Sequence, residues 1–560
     1  MIMSRFIVVF ICLVSFISVN AQSIKQAAVA TAHPMATQAG VDILEQGGNA
    51  FDAAAAITAS LAVVEPYGSG IGGGGLWLIH RASDDLQIMI DGREKTPMAA
   101  HKDIYLDESG NVIKGMSLNG PTAAGIPGTP AGIDHLVKRY GRLSLRQVLQ
   151  PAIKQAREGF EVTERYQKLM GFRGKVIKEY PEAAAIFLKD NQVPEIGTLI
   201  KQEALANTLS MIAEQGSQSF YTGAFAEQMV ASVKQNGGFW EKEDLANYNL
   251  LERPPIIVDY NGIKVTSAPP PSSGGIVMGQ ALNILESFDL AKLDSVTRKH
   301  VIVEAMRRAY RDRAAYLGDA DFVDVPIERL LDKDYAEGLA LTIDKDKATP
   351  SKNLGDIAAY DPLGENTTHF SVVDTEGNRV AATLSINLPF GSGFVASGTG
   401  VLLNNEMDDF SSKPLTANAY GLVGDHANAI APGKRPLSSM TPTFVETEDR
   451  IGILGTPGGS RIISMVMLGV LDFAEGKLPA SWVSVPRFHH QFLPDQVQYE
   501  LDGLGIAEQE GLKAKGHKLD EKSRRYGNMQ AIMVWKEKGL MFAASDPRGE
   551  GTAEVIYLSK

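Results

Sequence analysis

Two short runs in the second half of the chain alternate polar and apolar side chains with a period of two. Thr367, His369 and Ser371 share one face, opposite Thr368, Phe370 and Val372. From Arg379 to Asn387 the odd positions Thr383, Ser385 and Asn387 are polar, and the even positions Val380, Ala382, Leu384 and Ile386 are apolar. That period belongs to β-strands, and Thr375-Glu376-Gly377-Asn378 between them reads as a hairpin turn. Matching polar with polar requires odd residues to face odd residues, because a one-residue slip turns every side chain to the other face. An odd-length connection with Gly377 in a bulge satisfies this and makes Thr367 a neighbour of Ser385. An even connection would instead set Thr367 against Ile386.

On either side of this hairpin the pattern is layered. Ala36 to Glu45 has helical character and stops at Gly47-Gly48, and Asn49 can cap a second, Ala-rich helix from Phe51 to Val64. Strand-like runs follow at Leu76–Ile79 and Leu86–Asp91, the second leading into Asp91-Gly92-Arg93-Glu94. Residues 130–250 read as mainly helical, then come strands at Ile256–Tyr260 and Ile263–Thr266 and long helical patterns over about 274–290 and 295–316. Residues 345–366 are polar and contain Gly and Pro, which predicts an exposed linker. Strands at Thr443–Glu446 and Ile451–Leu454, a helix from about Arg461 and a last hairpin, Ala531–Lys536 with Leu540–Ala544, complete the pattern. Strands in the middle with helices at both ends predict a helix–sheet–sheet–helix arrangement.

The N-terminus predicts export. Met1 to Arg5 carries one positive charge, Phe6 to Val19 is apolar, and Val19-Asn20-Ala21 precedes Gln22, the three-part layout of a cleaved signal peptide over residues 1–21. The apolar run is shorter than the ~20 residues of a membrane span, and Cys12 lies inside it, away from any lipidation site. Removal of this segment takes with it the only cysteine of the 560-residue chain. Thiol catalysis, disulfides and Cys-ligated metal are then excluded, and a chain this long buries its core without crosslinks. The net charge is −12 and no Lys/Arg cluster reads as a nucleic-acid footprint. The expected product is soluble and exported, periplasmic if the host has an outer membrane.

The chemistry centres on Glu365-Asn366-Thr367-Thr368-His369-Phe370-Ser371-Val372-Val373-Asp374. A threonine hydroxyl is a poor nucleophile near neutral pH. As a chain terminus it gains its own α-amine as base, a group that titrates near about 8. The segment resembles the processing site of gamma-glutamyltranspeptidases, a family of N-terminal-nucleophile hydrolases. In order along the chain, Gln46-Gly47-Gly48-Asn49-Ala50, Gly72 to Gly75, Asn404 to Phe410, Lys434 to Met440 and Pro457-Gly458-Gly459-Ser460-Arg461 resemble other blocks of the same family.

The resemblance implies a four-layer αββα sandwich made by one autoprocessed precursor. The cut falls between Asn366 and Thr367, giving a large fragment, 22–366, and a small one, 367–560, that stay together as a heterodimer with interleaved strands. It implies Thr367 as nucleophile and Ser385, where the family has a second threonine, as its hydrogen-bonding support. Arg93, Ser438 and Ser439 match residues that hold the α-carboxylate of a gamma-glutamyl group, its planar guanidinium fork suiting Arg93 to that contact. Asn387, Glu406 and Asp409 match residues around the α-ammonium, and Gly458 and Gly459 the backbone donors to the oxyanion. Tyr420, within a Lys413–Pro432 segment that resembles a covering loop, is the expected gate residue.

Other features read as structural. Gly70-x-Gly72-x-x-Gly75 precedes a strand and lacks a phosphate-loop ending, so close backbone packing is expected there. His489-His490 point to opposite faces of a strand with nothing to complete a metal site, and His369 is expected to pack in its strand. No cofactor or metal is expected. The reaction expected is transfer of a gamma-glutamyl group from glutathione or a related amide to water, an amino acid or a peptide. The rival expectations are a cephalosporin-type or poly-gamma-glutamate-processing acylase on the same scaffold, and a solute-binding protein that never matures.

Overall fold

A computed structural model describes residues 25–355, 367–413 and 416–558. The signal segment, Asn366 and the latter part of the 345–366 stretch lie outside the described residues.

Two antiparallel sheets stack face to face. The first has seven strands, ordered Thr552–Leu558, Lys25–Thr31, Thr368–Val373, Arg379–Ser385, Gly74–Arg81, Leu86–Gly92 and Leu251–Arg253. The second has six, ordered Leu540–Ser545, Gln530–Trp535, Arg450–Gly455, Thr443–Glu446, Ile263–Ser267 and Ile256–Tyr260. Helices Pro34–Glu45 and Ala50–Val64 pack on the outer face of the first sheet, and Gly274–Leu285 and Ile462–Ala474 on that of the second. The result is the expected αββα sandwich.

The period-two pattern explains the layers. Phe370, Val372, Val380, Ala382 and Leu384 belong to the core that the first sheet shares with the Ala50–Val64 helix. Val373 and Ala381, from the opposite face, join Phe444, Ile453 and Ile532 between the sheets. The polar members of that face are buried too. There His369 Nδ1 lies 2.8 Å from Thr383 Oγ1, its Nε2 lies 3.3 Å from Ser371 Oγ, and Ser371 Oγ donates to the Gln530 carbonyl. Since Ser371 spends its proton on Gln530, the ring carries its own on Nε2 and accepts from Thr383 at Nδ1. Burial holds the His369 pKa down to about 3. Gly455 of the second sheet faces this ring so closely that a Cβ would collide with it.

The Asn49 cap is present, its Oδ1 accepting from Phe51 N and Asp52 N at 3.0 Å. One expectation needs correction: the first long helix of the 274–290 pattern ends at Leu285. The described part of the linker is mostly exposed, as expected, and is pinned at buried Ser351, which donates to the Phe492 carbonyl and accepts from Arg307 Nη1, both at 2.7 Å. Among the strands that went unread are Lys25–Thr31 and Thr552–Leu558, which pair with each other across the whole length of the chain. Among the described residues no helix is long and apolar enough to cross a membrane.

Candidate active site

The hairpin register sets up the site. Thr368 pairs with Leu384 and Val373 with Arg379, so odd residues face odd residues and Thr367 stands level with Ser385. The five-residue connection Asp374–Asn378 has Gly377 at φ 90°. Asp374 organises it by accepting from the backbone N–H groups of Glu376 and Asn378, while its other oxygen accepts from Ala50 N at the helix start. Thr367 is buried. Ser385 Oγ accepts from Asn387 N at 2.8 Å, which leaves its own proton to donate across the ladder. Beside it, a side chain on Gly73 would run into the Ser385 carbonyl, which confirms close backbone packing as the use of this glycine run.

Thr367, Ser385, Asn387, Arg93, Asp409, Tyr420, Ser438, Ser439 and Gly459 line one narrow cavity of about 20 Å³, room for about one water. Glu406 lies just behind it, its carboxylate 2.6 Å from Arg93 Nη1, and Asp409 meets Arg93 Nη2 at 2.5 Å. The sequence reading put Arg93 at one end of a ligand and the acids at the other; the structure gathers them into one cluster. A third carboxylate, Glu94, lies 3.4 Å from Arg93 Nη1 and is wholly buried. Three carboxylates thus share one guanidinium. Burial works against the charge on Arg93, but Glu406, Glu94 and Asp409 outweigh it and hold its pKa above the usual arginine range. Burial and then the charge of Glu406 push Glu94 and Asp409 well above the carboxylate range. The cluster is short of positive charge. Asn387 Oδ1 and Glu406 Oε1 are also buried without a hydrogen-bond partner among the described residues.

Both serines are arranged as donors. Ser438 Oγ accepts from Met440 N at 3.0 Å, and Ser439 Oγ accepts from Arg313 Nη2 at 3.3 Å, so each keeps its proton for another acceptor. Arg313 also donates to Ser273 Oγ at 2.9 Å, and no carboxylate among the described residues forms an ion pair with it. Burial lowers its pKa to about 10. Arg313 and Glu94 were missed in the sequence. Glu94 had a signal, its place beside Arg93 at the end of a strand. Arg313 had none, because its helix also carries Arg307, Arg308 and Arg311.

Gly458 and Gly459 form the turn before the Ile462–Ala474 helix, with φ 146° and 57°. Gly459 lines the Thr367 cavity, near the positive end of that helix dipole. Tyr420 covers it. Its ring occupies the space a Cβ on Gly459 would need, and its hydroxyl donates to the Asn387 carbonyl at 2.9 Å. Gln491 Nε2 donates to the Gly421 carbonyl at 3.0 Å and pins the same loop. Residues 414 and 415 of this loop lie outside the described residues.

Four further buried histidines are held by hydrogen bonds within the fold. His489 meets Ser464 and Gln491, each at 2.9 Å, and His490 Nδ1 accepts from Phe492 N at 3.1 Å. His300, Glu304 and His517 come together in the interior. There the two rings hydrogen-bond each other directly at 2.7 Å, and Arg307 and Arg308 already hold Glu304.

An αββα sandwich with a threonine level with a second hydroxyl at a strand start, beside a buried zone of opposed charge, has the architecture of the N-terminal-nucleophile hydrolases. Residues 36–556 match the family described as gamma-glutamyltranspeptidase. The glutathione hydrolase proenzyme of Escherichia coli (strain K12) is 45% identical over 531 residues, covering 94% of this chain and 90% of that protein. That of Pseudomonas sp. (strain A14) is 41% identical over 536 residues, covering 93% and 92%. Among solved structures, cephalosporin acylase from Bacillus halodurans superposes with a TM-score of 0.83 at 29% identity, covering 95% of this chain and 96% of its own. Helicobacter pylori gamma-glutamyltranspeptidase gives 0.56 at 41% identity, covering 57% of this chain and 92% of the solved one. The chain belongs to the gamma-glutamyltranspeptidase family.

Proposed function

We propose that this chain is an exported gamma-glutamyltransferase and glutathione hydrolase that activates itself by cutting before Thr367. In maturation the Thr367 hydroxyl attacks the Asn366 carbonyl carbon. The peptide C–N bond gives way to an ester, and water hydrolyses that ester to free the Thr367 amine and the Asn366 carboxylate. In turnover the freed amine takes the hydroxyl proton, Thr367 Oγ attacks the donor's side-chain amide, and the oxyanion is met by the Gly458–Gly459 turn. The amine product leaves with a proton. Water, an amino acid or a peptide then takes the gamma-glutamyl group from the ester.

The observation that carries this reading is the charge balance beside Thr367. Glu94, Glu406 and Asp409 outnumber Arg93, and Asn387 Oδ1 and Glu406 Oε1 lack hydrogen-bond partners among the described residues, which suits a ligand bringing an α-ammonium. Ser438 and Ser439 keep protons for its α-carboxylate. An acylase acting on donors without that zwitterion would leave these buried groups uncompensated. The two-fragment reading, 22–366 and 367–560, is supported by the first sheet, where strands from both sides of residue 366 are intermixed. The names of the E. coli and Pseudomonas relatives, as proenzymes, agree with it. Export rests on the apolar leader, residues 1–21.

Denaturing electrophoresis and N-terminal sequencing test maturation, and release of the amine from a gamma-glutamyl amide tests turnover. The expected result is two fragments, the smaller starting at Thr367, and a Thr367→Ala variant that is neither cut nor active. A different new N-terminus, or activity in Thr367→Ala, would sink the assignment.

A further inference from the structure

Thr368, the residue that follows the nucleophile, opens its strand with a neighbouring strand on one side only. Arg379–Ser385 lies beside it, with Leu384 opposite Thr368. On the other side Lys25–Thr31 stops at Thr31, opposite Phe370 and short of Thr368. The turn that ends the Ala50–Val64 helix stands in that place: a Cβ on Gly68 would lie 3.5 Å from both the Thr367 carbonyl oxygen and Thr368 Cβ. Gly68 N and Ser69 N donate to the Glu65 carbonyl at 2.7 and 3.1 Å, which closes the turn on itself.

Glu65, the residue at the end of that helix, sends its carboxylate to the strand. Thr368 Oγ1 donates to Glu65 Oε2 at 2.6 Å, the length of a charge-assisted bond. Both side chains are buried. The carboxylate is costly in this place, since it is withdrawn from water and stands at the negative end of a helix dipole. Burial pushes its pKa up, and the charge of Arg165 and the bond from Thr368 offset that only in part. The Tyr67 hydroxyl faces the same carboxylate. Side chains alternate along a strand, so Thr368 shares the face of Phe370 and Val372, turned to the helix layer. Thr367 lies on the other face, level with Ser385.

We propose that Glu65 and Thr368 are positioning residues for the nucleophile: the carboxylate grips the hydroxyl of the second residue and so fixes the chain end from which Thr367 reacts. The assignment rests on the reading of Thr367 as a freed N-terminal nucleophile. Before the cut Thr367 is joined to the chain on both sides; after it, only through Thr368. A chain end frays unless it is tied down, and a misplacement of about 1 Å can cost about 10²-fold in rate. The grip therefore matters little to maturation and much to turnover. That split separates it from Ser385, whose proton lies across the ladder from Thr367 and whose loss slows both steps.

The test compares wild type with Thr368→Val, which keeps the shape and removes the hydroxyl. Cutting of fresh precursor is followed on a gel, and kcat and KM of the matured enzyme are read with gamma-glutamyl-p-nitroanilide. The expected kcat is about tenfold or more below wild type, the scale of a hydrogen bond to a charged group, with KM and the rate of cutting each within about threefold. Thr368→Ser, which restores the oxygen, should recover kcat. If Thr368→Val does not fold, Glu65→Gln keeps the shape and an acceptor without the charge, and should show the same split with a kcat loss of at least about threefold. Equal losses in cutting and in kcat, the mark of a merely structural role, would overturn this assignment alone, as would a smaller loss of kcat than these or no recovery with serine. A wild type whose small fragment starts elsewhere than at Thr367, or that releases no nitroaniline, would refute the nucleophile reading and this assignment with it.

Discussion

Replacing Ser385 by alanine tests the register on which the catalytic reading depends. Ser385 Oγ is the acceptor for Asn387 N at 2.8 Å, and its free proton lies across the ladder from Thr367. Directly opposed residues in such a ladder have Cβ atoms about 4.5–5.5 Å apart, within reach of a hydroxyl–hydroxyl contact. Alanine leaves a buried N–H without its partner, a cost of about 1–3 kcal/mol, and removes a bond to the nucleophile of about 1 kcal/mol. The Asn387 backbone, at φ 72°, stays anchored by Tyr420 Oη to its carbonyl and by its own Nδ2 to the Asn405 carbonyl. The loss should therefore fall on the position of Thr367 and not on the fold. If about 2–4 kcal/mol appears in the transition state, kcat drops by roughly 30- to 1000-fold. KM should hold, since Arg93, Asp409, Ser438 and Ser439 are untouched. Steady-state hydrolysis of a gamma-glutamyl amide reads both constants, and a gel reads maturation, which uses the same hydroxyl and should slow in parallel. Ser385→Thr keeps the oxygen and should restore both. An alanine variant matured and active within threefold of wild type would refute the reasoning.

Two further outcomes follow from the same geometry. Gly459→Ala places a Cβ in the Tyr420 ring at a backbone angle, φ 57°, that non-glycine residues resist. Activity should fall at least tenfold, while a Gly459→Ala/Tyr420→Ala double variant should regain part of it; no rescue would mean the two residues do not share the space. His369 is held neutral, its pKa down at about 3 from an ordinary 6.5. Its contribution is therefore complete above pH 6.5 and is lost as pH falls toward 3, at about 1.36 kcal/mol per pH unit, or about 2 kcal/mol at pH 5. Denaturant unfolding of His369→Gln should lose about that much less between pH 7 and pH 5 than the wild type; identical pH dependence would remove His369 from the acid response.

What the sequence determined by itself was local. The alternation at 367–373 and 379–387 fixed which side chains share a face, and with an odd connection that suffices to set Thr367 level with Ser385. Asn49 announced its helix because a cap acts within three residues of itself. The family blocks pointed to Arg93, Asn387, Glu406, Asp409, Ser438, Ser439 and Gly459, and the fold brings them to Thr367. Tertiary structure decided the rest. Only packing could pair Lys25–Thr31 with Thr552–Leu558, since each is an unremarkable segment until the other covers its edge. Only packing could set Arg313 behind Ser439, or draw Arg93, Glu94, Glu406 and Asp409 into one buried cluster. The reason is physical: periodicity reports the face a residue takes within its own element, whereas the worth of a charge depends on burial and on neighbours hundreds of residues away.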